Sequence, residues 1–337
     1  IMSTKILVTI GPASLNKDKI LKLEKRGVDL FRINLSHTKV EDLESTIEKI
    51  QGWSLIPVCL DSEGAQIRNQ DMTSESTVFN LGDKVRIHRN YVKGNSSNIS
   101  LTPSNVYDQL VVGDIMRIDF HSVALKVTEL GKNIHISEVI SSGKVGSNKA
   151  VNTDRDITLH PITEKDKRCF EIGKNMGINN FSLSFTNTAD DVIAVRNIIK
   201  DANLIAKIES IKGVLNLAEI LPLVDQILID RGDLSCEVDI DKIPFIQRRI
   251  IAHAKSKDTP VYVATNLLES MIHSHQPTRA EVNDIASTLL MGADGLVLAA
   301  ETAIGKYPVE VVEMVNAVVK QFNRWTPESS SRDIIFN

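Results

Sequence analysis

Aromatic side chains are scarce in this chain, at 4% of 337 residues, and cysteines number only three. Few aromatics leave little material for the stacking platforms that bind single-stranded nucleic acid. Cys59, Cys169 and Cys236 lie far apart with no paired spacing, which excludes a disulfide scaffold and a cysteine-based zinc site. An excess of one charge is missing too. Lys and Arg total 39 against 43 Asp and Glu, a net −4 that argues for neither nucleic acid nor a membrane surface as partner. No apolar run approaches the roughly 20 residues that span a bilayer. The opening residues pass into a strand pattern with no room for a signal peptide. These absences leave a soluble, cytoplasmic protein in a reducing compartment, acting on small molecules.

What is present is an alternation. Short apolar strands are expected at residues 5–11, 29–36, 55–61, 179–185, 203–209, 226–229, 260–265 and 295–299. Between them run stretches with helical spacing, among them 17–26, 40–50, 163–176 and 188–200. Strands alternating with helices predict a parallel sheet, and eight such units suit a closed barrel better than an open sheet. A dinucleotide-binding sheet would also need G-x-G-x-x-G after its first strand, where Gly11-Pro12-Ala13-Ser14 stands. Between residues 69 and 152 the period changes to two, with Gly, Asn and Ser turns at 94–98 and 141–143. The expected fold class is therefore α/β, a (β/α)8 TIM barrel with an inserted small all-β lid domain after strand 3. The barrel would occupy 1–69 and 156–325, the insert 70–155 and a polar tail 326–337. An insertion at that point belongs to the face where barrel active sites lie.

Polar groups follow the ends of five strands: Arg32 to His37, Asp61 to Arg68, Lys207 to Glu209, Asp230 to Leu234, and Thr265-Asn266. Any one of these could be polar simply because strand ends approach solvent; five on one rim point to function. Glu209 and Asp233 are hard oxygen ligands suited to Mg²⁺ or Mn²⁺. Lys207 shares a strand face with Glu209, as stabiliser of an enolate or a moving phosphoryl group, or as its buried ion-pair partner. Arg32 and Arg68 could clamp phosphate through forked donors. Gly232 allows an anion to approach the backbone at a helix start. Asn34, Ser36, Asp61 and Ser62 form an all-oxygen set for a monovalent cation such as K⁺, with capping or turn formation as the plainer role.

Several ordered segments carry a resemblance. Thr9 to Ser14, Arg32 to His37, Lys207-Ile208-Glu209, Arg231-Gly232-Asp233-Leu234, Leu268 to Met271, Pro277 to Glu281 and Glu301-Thr302-Ala303 are similar to pyruvate kinase signatures, in that family's order. The resemblance implies transfer of a phosphoryl group from phosphoenolpyruvate to ADP, with protonation of the enolate to pyruvate. By matching position, it implies that Glu209 and Asp233 hold the divalent metal and that Lys207 stabilises phosphoryl group and enolate. Gly232, Asp233 and Thr265 would take the substrate carboxylate, with Thr265 near the protonation step. Arg32 would contact phosphate, the set of Asn34, Ser36, Asp61 and Ser62 would hold K⁺, and Arg32, His37, Arg68 and Lys149 would face the nucleotide.

Departures gather on the nucleotide side. Asp61 to Arg68 stands for a family D-T-K-G-P-E-I-R, so Glu63 replaces a lysine, Ala65 a proline and Gln66 a glutamate associated with K⁺ dependence. The hinge's two glycines give way to Ala150 and Arg155 and its proline to Asp154, and a family lysine gives way to Ile304. The family's C-terminal regulatory domain is expected to be absent, and with it control by a sugar phosphate; barrel helices could still support a homodimer. An alternative function is a metal-dependent lyase or aldolase, or a specialised phosphotransferase, using the same enolate machinery with a different acceptor. A regulatory pseudoenzyme is disfavoured by the presence of Lys207, Glu209, Asp233 and Thr265.

Overall fold

The computed structural model describes residues 4–119 and 122–336. They divide into two compact units, residues 1–64 with 161–337, and residues 65–160. In the first unit, parallel strands close into a barrel: Lys5–Thr9, Leu30–Asn34, Val58–Asp61, Asn180–Leu183, Asn203–Ile208, Gln226–Asp230, Val261–Ala264 and Gly295–Leu298. These are strands one to eight in chain order. Strand one completes the ring by pairing with strand eight, from Lys5↔Gly295 to Val8↔Leu298.

Both faces of each strand are covered, which is why the segments read as nearly continuous apolar runs. Side chains of one parity, Leu7, Leu30, Cys59, Ile205, Leu228 and Val297 among them, form a small cluster of their own. Their neighbours of the other parity, such as Ile6, Val8, Phe31, Leu60, Leu204 and Ile227, join the larger core with the helices. Because side chains repeat every second residue, the next position of the first parity is also fixed. There stand Thr9, Arg32, Asp61, Lys207 and Asp230, so the alternation that fills the barrel also sets polar groups at the strands' carboxyl ends.

Several helices begin at threonine caps reinforced by a carboxylate three residues on. Thr163 pairs with Asp166, Thr188 with Asp191 and Thr278 with Glu281, each in a reciprocal capping box.

The second unit is a closed barrel of its own. Its ring runs Ile134–Ser141, Lys84–His88, Asn98–Thr102, Ile67–Asn69, Ala150–Thr153, Ile115–Ile118 and Val123–Glu129, with Gly143–Val145 and Thr77–Phe79 forming a separate ribbon. Phe79, Val85, Ile87, Ile99, Met116, Leu125 and Val139 fill its core. Ile67–Asn69 pairs with Asn98–Thr102 and Ala150–Thr153, so this unit opens at Ala65, ahead of the expected residue 70. A 3₁₀ turn at Ser104–Gln109, where no helix is expected, buries Val106 and Tyr107. Within the period-two stretch, the alternation of residues 116–120 coincides with the strand Ile115–Ile118; Phe120 lies outside the described residues. No helix among the described residues is long and apolar enough to cross a membrane.

Candidate active site

Lys207 is the centre of the barrel's polar cluster, although only 4% exposed. Its Nζ lies 2.8 Å from Glu209 Oε1, 3.4 Å from Asp61 Oδ2 and 4.0 Å from Asp230 Oδ2, and donates to Ser184 Oγ at 3.1 Å. Burial opposes the charge on Lys207, but Asp61 and Glu209 more than offset it and hold the ammonium above the usual lysine range. Lys207 is thus ion-paired with Glu209 and lies close to Asp61 and Asp230 as well.

Asp61 joins this cluster to Arg32. Arg32 Nε donates to Asp61 Oδ2 at 2.8 Å, its Nη2 lies 2.7 Å from the same oxygen, and its Nη1 donates to Thr9 Oγ1 at 2.9 Å. Burial would raise the Asp61 carboxyl, yet Arg32 and Lys207 outweigh it and keep it below the ordinary carboxylate range. Its other oxygen accepts from Ser182. Asn34 Oδ1 accepts from the Ser36 amide at 2.9 Å, and Ser62 Oγ from the Ser184 amide at 3.0 Å. Asn34 and Ser62 thus each accept one hydrogen bond through their side-chain oxygens, and Asp61 lies between two cations. Asn34 also caps the 3₁₀ turn Leu35–His37, the plainer role.

The donor set for a divalent ion is larger than expected. Glu209, Asp230 and Asp233 each offer an oxygen within 4.8 Å of the others. Glu209 Oε2 accepts from the Phe185 amide at 2.6 Å, while the buried Oε1, close as it is to Lys207, takes no well-directed hydrogen bond. Burial pushes the Glu209 carboxyl up to about 8, against the pull of Lys207 and with Asp233 and Asp230 adding to the rise. A hard dication among three oxygens would relieve that crowding of anions.

Asp233 sits on a short helix, Arg231–Leu234, that follows strand six and is capped by Asp230. The Gly232 amide, expected to be open to an anion, donates to Asp230 Oδ1 at 3.1 Å. Gly232 has a steric reason to be glycine, since an added Cβ would lie 2.8 Å from Thr265 Cγ2. Thr265 donates its hydroxyl to Asp230 and adopts φ +77°, an unusual conformation for a β-branched residue. Sequence reading put Asp230 on the rim without a metal role and missed Ser182 and Ser184. The signal for Asp230 was parity, because it stands two residues beyond the inward Leu228.

Glu63 neither faces solvent freely nor stands alone. Its carboxylate lies 2.7 Å from Lys165 Nζ, which also donates to the Leu35 carbonyl at 2.6 Å. His37 is exposed at the end of the 3₁₀ turn Leu35–His37. The remaining nucleotide candidates belong to the second unit. Arg68 lies opposite Ala150 in the strand register, next to Lys149, and donates to the Asn148 carbonyl at 2.9 Å. Lys149 Nζ lies 3.4 Å from Asp119 Oδ2.

A family model described as pyruvate kinase, barrel domain, matches residues 1–312. A pyruvate kinase of Lactobacillus delbrueckii subsp. bulgaricus is 36% identical over 330 residues, covering 94% of this chain and 56% of that protein. One from Corynebacterium glutamicum is 33% identical over 327 residues, covering 94% and 69%. A crystal structure of a pyruvate kinase from Cryptosporidium parvum superposes with a TM-score of 0.85 at 29% identity, over 97% of this chain and 70% of that one. The chain thus spans between 56% and 69% of the length of these two curated relatives.

Proposed function

This chain belongs to the pyruvate kinase family, and on that premise we propose that it is an enzyme transferring the phosphoryl group of phosphoenolpyruvate to ADP, giving pyruvate and ATP. The observation that carries the reading is the buried Lys207 ammonium, held between Asp61 and Glu209 beside three clustered carboxylates. Burying that many charges is costly, and such perturbed groups gather where charge must be handled.

Glu209, Asp230 and Asp233 would hold Mg²⁺ or Mn²⁺, which when bound supplies Lewis-acid stabilisation of negative charge on substrate oxygens. Lys207, kept charged by its neighbours, would donate to the phosphoryl oxygens and then to the enolate oxygen as charge develops there. Arg32 would add a forked donor to phosphate from the adjoining strand, oriented by Asp61 and Thr9. Thr265 would meet the substrate carboxylate and lie near the carbon that gains a proton, beside the turn of Gly232 and Asp233. Arg32, His37, Arg68 and Lys149 are proposed as nucleotide contacts. Asn34, Ser36, Asp61 and Ser62 are proposed for K⁺. Nothing favours the lyase or aldolase alternative: the relatives compared above are pyruvate kinases.

The test is pyruvate formation from phosphoenolpyruvate and Mg²⁺, with and without ADP. ADP-dependent pyruvate is expected. If pyruvate exchanges its methyl protons with solvent but no nucleoside diphosphate supports its formation, the phosphotransfer reading is wrong.

A further inference from the structure

Two consecutive non-glycine residues at the end of strand seven, Thr265 and Asn266, hold φ of +77° and +57°. A β-branched residue does not rest there by preference, so its surroundings must impose the conformation. Three neighbours do so. The Thr265 hydroxyl donates to Asp230 Oδ1, its methyl packs where Gly232 has no Cβ, and its carbonyl accepts from Arg231 Nη2 at 2.6 Å. Arg231 also donates from Nε to the Ala264 carbonyl at 3.3 Å, and its Nη1 lies 2.7 Å from Asp284 Oδ2 on the helix Arg279–Leu290.

We propose that Arg231 is a positioning residue that acts on the reaction through Thr265, a proposal that rests on the phosphotransfer reading. Its guanidinium is a planar fork whose three nitrogens reach two successive carbonyls and a carboxylate in fixed directions. A lysine ammonium could replace the charge but not that span. Asp284 anchors the fork from the outer helix, so the fork turns the strand-seven carbonyls to one side. The Thr265 hydroxyl is thereby directed to the metal-binding carboxylate side, where Asp230 receives it. Arg231 is 13% exposed and sits at the first position of the short helix bearing Asp233. One side chain therefore ties the Asp233 turn to the Thr265 turn.

The test compares Arg231→Lys, Thr265→Ala and the double variant. Misplacing a group by a fraction of an ångström lowers kcat severely, so Arg231→Lys is expected to lose roughly 10-fold or more in pyruvate formation. If Arg231 acts through Thr265, the double variant is no slower than the slower single variant, within about twofold. Losses that multiply overturn the proposal, as does an unchanged kcat. A crystal structure of Arg231→Lys decides independently of turnover. Thr265 is expected to leave positive φ and release Asp230; a Thr265 still in place overturns the positioning role. That arm stands even if the unaltered protein makes no pyruvate, an outcome that would sink only the phosphotransfer reading. Should Arg231→Lys fail to fold, Asp284→Asn loosens the anchor more gently. It is expected to cost a few-fold in kcat, and nothing further in the Thr265→Ala background; a multiplied loss there overturns the proposal.

Discussion

At the barrel mouth, Arg32, Asp61, Lys207 and Glu209 are all buried and bonded to one another, whereas the insert's pairs Lys84–Glu138 and Arg89–Asp108 leave every partner between 41% and 56% exposed. The two arrangements have different physical value. Exposed pairs contribute about 0–1 kcal/mol, and folding is nearly indifferent to them. Buried charges carry a desolvation penalty of several kcal/mol each, so they persist where neighbours compensate them or where chemistry needs them. The comparison teaches that the barrel's charges are compensated by one another inside the protein, whereas these pairs of the insert are compensated largely by water.

The largest expected effect tests the buried side of that comparison. If Lys207 follows charge from phosphoryl group to enolate as proposed, Lys207→Met should lower kcat on the order of 10³-fold. It should also destabilise the barrel by about 3 kcal/mol, because Asp61 and Glu209 lose a shared cation. Mn²⁺ binding, followed by electron paramagnetic resonance, should survive or tighten, because the lost ammonium competed for Glu209. Turnover within tenfold of the unaltered protein would remove Lys207 from the mechanism.

Much of this was legible in the sequence, and what was missed has physical causes. The eight strands announced themselves by apolar runs, and Arg32, Asp61, Lys207 and Glu209 by standing at strand ends. Asp230 stands on that rim too, but its place beside Glu209 and Asp233 depends on how the strands meet, and it also caps the helix Arg231–Leu234. The positive φ of Thr265 runs against its own propensity, so only tertiary contacts from Arg231, Asp230 and the Gly232 turn reveal it. Glu63 finds Lys165 across 102 residues of chain, a pairing that no local pattern encodes. The insert's ring closes partly through a parallel pairing of Lys84–His88 with Asn98–Thr102, which alternation cannot distinguish from an antiparallel one.

A smaller effect is expected where charge is exposed yet assigned to function. Lys149 is 42% exposed, and its Nζ approaches Asp119 only to 3.4 Å. Lys149→Ala should therefore leave thermal stability within about 0.5 kcal/mol of the unaltered protein. If Lys149 contacts a nucleotide phosphate, the KM for ADP should rise roughly fivefold, the equivalent of about 1 kcal/mol, with kcat little changed. Steady-state kinetics at fixed phosphoenolpyruvate measure both. An unaltered KM would place Lys149 with the merely exposed charges of the insert.

The smallest effect concerns a pair of the insert that mixes the two regimes. Asp114 is buried, while its partner Arg155 is 39% exposed, and the two meet through paired bonds of 2.9 Å. The hydrogen bond from Arg155 holds the Asp114 carboxyl below its usual range, burial opposes this, and the Val111 amide helps. A depressed folded value means the contribution is present above the unfolded carboxylate pKa of about 3.9 and is lost as pH falls through the folded value. With Arg155 largely in water, the contribution at neutral pH should stay under about 1 kcal/mol. Asp114→Asn should accordingly lower Tm slightly at pH 7 and speed hydrogen exchange at the Val111 amide. Both differences should shrink below about pH 4, where protonation makes the native side chain resemble the amide. A gap that stays constant down to pH 3 would mean that Asp114 stabilises the insert by shape rather than by charge, and would place it with the uncharged core.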